Sequence, residues 1–83
     1  MSKTYTIENV VYGARGPRWR FYSATHNYSY ETPTMPGGHP TAEKVARRIN
    51  GSLKRCGRMD NLARSNIHDI LMHAKKTLVE HQP

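Results

Sequence analysis

The chain has little of what covalent or metal-based chemistry needs. Its 83 residues include a single cysteine, Cys56, so no internal disulfide can form. The expected role of Cys56 is a small buried apolar side chain rather than a reactive thiol. Long apolar runs are missing too. None approaches the roughly 20 residues a helix needs to span a bilayer, and the opening MSKTYTIENV has no apolar secretory core. These absences point to a cytoplasmic protein, in which the sequons at Asn27 (NYS) and Asn50 (NGS) carry no glycan. Acids are scarce, six against thirteen Lys and Arg, for a formal net charge of +7. They are also scattered, which removes the paired carboxylates of general acid–base catalysis. GARGPRW has no GK[ST] ending and is not a phosphate-binding P-loop.

Five histidines do not make a metal site by spacing. His68 and His73 are five residues apart, so on a helix they diverge by about 140°. His26, His39 and His81 fall in loops or the tail. Cys56 has no CxxC partner and no activating third group. The expectation is a protein that is not an enzyme and holds no cofactor or metal.

What is present is positive charge, unevenly placed. Residues 43–64 hold seven of the thirteen Lys and Arg against two acids, Glu43 and Asp60. From Ser65 onward the cations and acids balance. A concentrated basic surface suits an anionic partner, because neutralising phosphates releases condensed counterions.

The pattern predicts one α+β domain over 1–83. A three-stranded antiparallel sheet occupies about 3–33, and helices occupy about 41–56 and 60–80, in the order β-β-β-α-α with both helices on one face. KTYTIENVVY, residues 3–12, reads as one strand with a bulge near Asn9 where the alternation breaks. The second strand, about 18–25, alternates well. Trp19, Phe21 and Ser23 point to the core, and Arg18, Arg20 and Tyr22 point to solvent. His26-Asn27 is the expected turn into a third strand, 28–32, carrying Tyr28, Tyr30 and Thr32 on one face, and Pro33 ends it. TMPGGHP follows as a connection without periodicity.

Thr41 is the expected N-cap of the first helix, with Glu43 in its first turn. Ala42, Val45, Ala46, Ile49, Leu53 and Cys56 make its apolar stripe, and Gly57 is the expected C-cap. Asn50-Gly51 is a weak point where the helix can break. In VARRINGSLKRCG, Ala46 precedes Gly51 by five positions, not the four of a helix-turn-helix. The second helix starts at Asp60 or Ser65 and buries Ala63, Ile67, Ile70, Leu71, Ala74 and Leu78.

Two basic surfaces follow. Arg18, Arg20 and Tyr22, with Tyr28 or Tyr30 on the neighbouring strand, offer guanidinium forks for phosphates and rings for unpaired bases, and Arg15 in the expected GARGP loop is a further candidate contact. Lys44, Arg47, Arg48, Lys54 and Arg55 spread over the solvent side of the first helix, with Arg58 just beyond it. In layout, three strands followed by a helix opening PTAEKVARRI are similar, over about residues 11–55, to the sheet-plus-helix modules of AP2 and integrase arm-binding domains. That resemblance implies a sheet set in a DNA groove. The short, motif-free basic chain also resembles the small proteins with which phages block host or defence machinery. The expected partner is DNA or RNA, or a nucleoprotein complex. The alternative is an acidic or nucleic-acid-binding protein that the chain inhibits stoichiometrically through an Arg- and Tyr-rich surface. So small a core would also gain from pairing with a second copy of the chain.

Overall fold

A computed structural model describes residues 4–33 and 35–81, with the side chains described as far as Thr77. Lys3 and the side chains of Leu78 and His81 lie outside the described residues. The order is β1 (Thr4–Ile7), β2 (Val10–Arg15), β3 (Arg18–Ser23), β4 (Tyr28–Thr32), α1 (His39–Cys56) and α2 (Asn61–His81). The architecture is α+β, an antiparallel sheet followed by two helices. The sheet has four strands in sequence order, not three.

The extra strand comes from residues 3–12, which do not run as one bulged strand. Ile7 pairs with Val10, so Glu8 and Asn9 form a two-residue hairpin turn. Glu8 takes the left-handed φ of 48° that the turn needs. A residue of this kind rarely adopts that conformation, and its side chain explains how it is held. Lys54 Nζ of α1 donates to Glu8 Oε2 at 2.9 Å, and the Asn50 side chain nearby adds to the stabilisation of the carboxylate. The next turn, Gly16-Pro17, is equally tight, with Gly16 at φ 63° in its first central position. Between β3 and β4, Ser23 pairs with Tyr28, so residues 24–27 form a four-residue loop, longer than the expected His26-Asn27 turn. Within it Asn27 is left-handed, and the His26 N–H donates to Ser23 Oγ at 3.4 Å.

Pairing register places one aromatic from every strand in a single row: Tyr5 beside Tyr12, Tyr12 beside Phe21, Phe21 beside Tyr30. Ring centroids along the row are 5.4, 5.7 and 5.9 Å apart, within the range of favourable aromatic contact. His39, the first residue of α1, stacks on Tyr5 at 3.9 Å and extends the row to the helix. Tyr12 and Phe21 are fully enclosed beneath α1 residues Ala42, Val45, Ala46, Ile49 and Leu53. Burial pushes the Tyr12 phenol above its ordinary value, with the nearby Glu43 charge adding to the effect.

α1 starts two residues earlier than expected. Gly38 is its N-cap, Pro40 occupies the first turn, and Thr41 lies inside the helix. Proline is pre-organised for that position, where its missing N–H costs nothing. Glu43 therefore falls outside the first turn. The helix runs unbroken through Gly51, so no helix-turn-helix forms there, and it ends at Gly57 (φ 74°), whose N–H donates to Leu53 O at 2.8 Å. Cys56 is exposed rather than buried. It is the last residue of α1, at the connection to α2, and among the described residues its thiol reaches the Arg58 and Ser52 carbonyls and the Asp60 carboxylate.

Ser52 organises that connection. Its fully buried hydroxyl donates to Arg58 O at 2.6 Å and accepts from the Asp60 N–H at 2.9 Å. Asp60 in turn caps α2 by accepting from the Ala63 N–H at 2.7 Å. α2 lies against α1 through Ala63 and Ile67, while Ile70, Leu71 and Ala74 are only half-buried.

Three outcomes follow. Phe21→Ala should cost about 3–5 kcal/mol, while Arg20→Ala, its neighbour on the other face, should stay within about 0.5 kcal/mol; urea unfolding measures both. Ser52→Ala removes the acceptor of the Asp60 N–H and leaves the Arg58 carbonyl only the weak Cys56 thiol donor, and should cost about 1–3 kcal/mol by the same measurement.

The third outcome concerns acid. The hydrogen bond from Lys54, and then the Asn50 side chain, lower the Glu8 pKa. The Ala63 N–H, followed by Arg55, lowers that of Asp60. Both groups bind protons less readily folded than unfolded, so their contribution is complete above the ordinary carboxylate value of about 4. It is lost as the pH falls through their lowered folded values. Melting temperature should drop across that window. The drop should be shallower in Glu8→Gln and Asp60→Asn, and shallower in high salt, most of all for the exposed Glu8.

Candidate nucleic-acid interface

Because side chains alternate along a strand, the inward aromatic row fixes what faces outward. The open face carries Arg15, Arg18 and Arg20, Tyr22, Val11, Thr4, Thr6, Ser29 and Glu31. Trp19 goes inward, 6.4 Å from Tyr12. That settles why the single Trp stands between two arginines: it belongs to the core row, and the arginines belong to solvent.

Register also makes a depression. Gly13 on β2 lies between Thr4 of β1 and Arg20 of β3. With no side chain there, a shallow hollow of about 190 Å³ forms, bounded by Arg15, Arg20, Tyr22, Val11 and Thr4. Tyr22 is 45% exposed, a ring available on one wall. Arg18 donates to Glu31 Oε1 at 2.6 Å, an ion pair running diagonally across β3 and β4. Arg20 is directly opposite Glu31 in the register yet is left without it. Among the described residues, Arg15 and Arg20 have no carboxylate in ion-pair range.

Tyr30 is a correction. It was expected to extend the outward row, but as the register partner of Phe21 it lies on the inner face, half-buried, facing a gap toward Arg64, Ile67 and Leu71 of α2.

The helix cations occupy the opposite side of the molecule, because α1 covers the inner face of the sheet. Lys44, Arg48 and Arg55 lie four and seven residues apart and form one outward ridge. Much of this charge is shared. Arg47 reaches Glu43 at 3.7 Å, Lys54 reaches Glu8 at 2.9 Å, and Arg55 reaches Asp60 at 2.6 Å. The hydrogen bond to Asp60 also raises the Arg55 pKa. Arg58 is exposed in the connection between the helices.

Charge balance does not choose between the two faces. The sheet carries three arginines against one carboxylate, and α1 carries five cations against three. The exposed ring of Tyr22 does choose, since α1 carries no Phe, Tyr or Trp. Sequence reasoning put Arg18, Arg20 and Tyr22 on one outward row, but it read residues 13–17 as a loop, whereas Gly13 and Arg15 belong to β2. It missed the role of Gly13, whose only signal was a glycine inside a run of alternating strand residues.

Among the described residues no group of three or more His, Cys, Asp or Glu side chains is placed to hold a metal ion. No described helix is long and apolar enough to cross a membrane. No protein family matches the chain, and no curated protein or solved structure shows significant similarity to it.

Proposed function

We propose that this chain is a non-enzymatic binding protein whose open sheet face takes nucleic acid. One observation carries the reading: Arg15, Arg20 and Tyr22 border a hollow floored by Gly13. Guanidinium forks match phosphate oxygens, and a ring beside a side-chain-free floor gives an unpaired base a surface to stack on. The ridge on α1 points the other way. It acts as a solubilising surface and adds to long-range attraction rather than to contact. A small basic protein of this kind would work in the cytoplasm.

A second reading is favoured by a different feature of the same face. Val11 is 41% exposed beside Tyr22, and exposed apolar, Tyr and Arg side chains together are typical of protein interfaces. On that reading the chain blocks an acidic or nucleic-acid-binding partner by stoichiometric occupation, as phage-encoded inhibitors do.

Fluorescence anisotropy with a labelled single-stranded oligonucleotide, titrated at several salt concentrations, tests the first reading. Log affinity should fall linearly with log salt. Each of Arg15→Ala and Arg20→Ala should reduce the slope by about 1. Arg48→Ala and Lys75→Ala, off the sheet face, should leave it nearly unchanged. Equal effects from all four would defeat the sheet-face reading. A partner retained at fixed stoichiometry after nuclease treatment, and released by Val11→Asp, would support the second reading instead.

A further inference from the structure

Away from the open sheet face, a groove of about 460 Å³ separates the first turn of α1 from the second half of α2. It is where the two helices no longer pack tightly. Thr41 and Lys44 stand on the α1 wall, preceded by Gly37, and Asp69, Ile70 and Ala74 line the α2 wall.

The α1 end of this groove is rich in unused donors. The helix has no side-chain cap and no acid in its first turn. Its first backbone hydrogen bond runs from the Ala42 N–H to Gly38 O. Among the described residues the N–H groups of His39 and Thr41 have no backbone acceptor. These donors sit at the positive end of the helix dipole.

A second feature, independent of the helix end, points to the same spot. Thr41 is only 7% exposed, yet its hydroxyl has no hydrogen-bond partner among the described residues. Its Oγ1 faces Gly37 on the groove wall: a Cβ placed on Gly37 would stand 2.6 Å from it. The side-chain oxygen sealed away without a partner among the described residues is Asn50 Oδ1, so the Thr41 hydroxyl, on an enclosed residue, opens onto the groove. It stands beside a lysine three residues on.

We propose that this groove binds a small phosphate monoester. The phosphoryl group sits on the first turn of α1, taking the N–H groups of His39 and Thr41, the Thr41 hydroxyl and the Lys44 ammonium. Its organic body lies along Ile70 and Ala74. Asp69 at the α2 wall disfavours a second anionic group there and accepts from a hydroxyl, which selects ligands with one charged end. A phosphate uses this many convergent donors better than a planar carboxylate, which has one oxygen fewer. The proposal does not rest on the nucleic-acid reading of the sheet face.

The test is an NMR titration of amide resonances at constant ionic strength, using phenyl phosphate, inorganic phosphate and benzoate as probes. Phenyl phosphate should shift His39, Thr41, Ala42 and Ala74 saturably. It should bind about tenfold more tightly than either benzoate or inorganic phosphate. Thr41→Val and Lys44→Gln should each weaken it by about fivefold or more, and Arg15→Ala and Arg20→Ala should leave it unchanged. Lys44 is exposed, so its variant reports even if Thr41→Val fails to fold. Shifts centred on Arg15 and Arg20, unsaturable shifts, or undiminished binding in Lys44→Gln would overturn the site. Equal affinity for benzoate would overturn the phosphate assignment, and equal affinity for inorganic phosphate would overturn the role of the α2 wall.

Discussion

The row Tyr5, Tyr12, Phe21 and Tyr30 is the constraint on which the rest of the structure depends. It crosses every strand once and is sealed by α1 from above. A strand has only two faces, so a slip of one residue would send a ring to solvent and an arginine to the core. The penalty for that exchange holds the register. The register then places Gly13 beside Arg20 and puts Tyr22 over the open side. The open face is thus specified by residues that never touch it.

The same row determines how the helices dock. His39 stacks on Tyr5, and Lys54 and Asn50 hold the Glu8 turn, so α1 is fastened to the β1–β2 hairpin at both ends. Among the described residues, α2 packs on α1 far more than on the sheet. It relies on the Ser52 and Asp60 connection and on a short apolar contact near it. This unequal attachment explains why α2 ends its tight packing at Ile67 and the groove opens beyond.

Much of this was legible in the sequence, for identifiable reasons. RWRFYS alternates without interruption, so the facing of Trp19, Arg20 and Tyr22 could be read directly. Gly57 closes α1 as its position suggests. The Glu8-Asn9 turn was hidden because glutamate is a poor candidate for a left-handed residue. What permits it is Lys54, 46 residues away, and local patterning carries no trace of that contact. Tyr28 and Tyr30 both occur in YSYET, so the strand's periodicity was visible while its orientation was not. The neutralisation of Arg18, Arg47, Lys54 and Arg55 was invisible for a similar reason, since three of those four ion pairs join different elements or cross a turn. The unbroken passage of α1 through Gly51 shows tertiary packing outweighing an unfavourable local propensity.

The hollow over Gly13 has a consequence for how such a protein changes over generations. Its walls are side chains on the exposed face, while its position is dictated from beneath by the enclosed rings of the core. Exchanges at Arg15, Arg20, Tyr22 and Val11 therefore alter the chemistry of the open face while leaving the register beneath it in place.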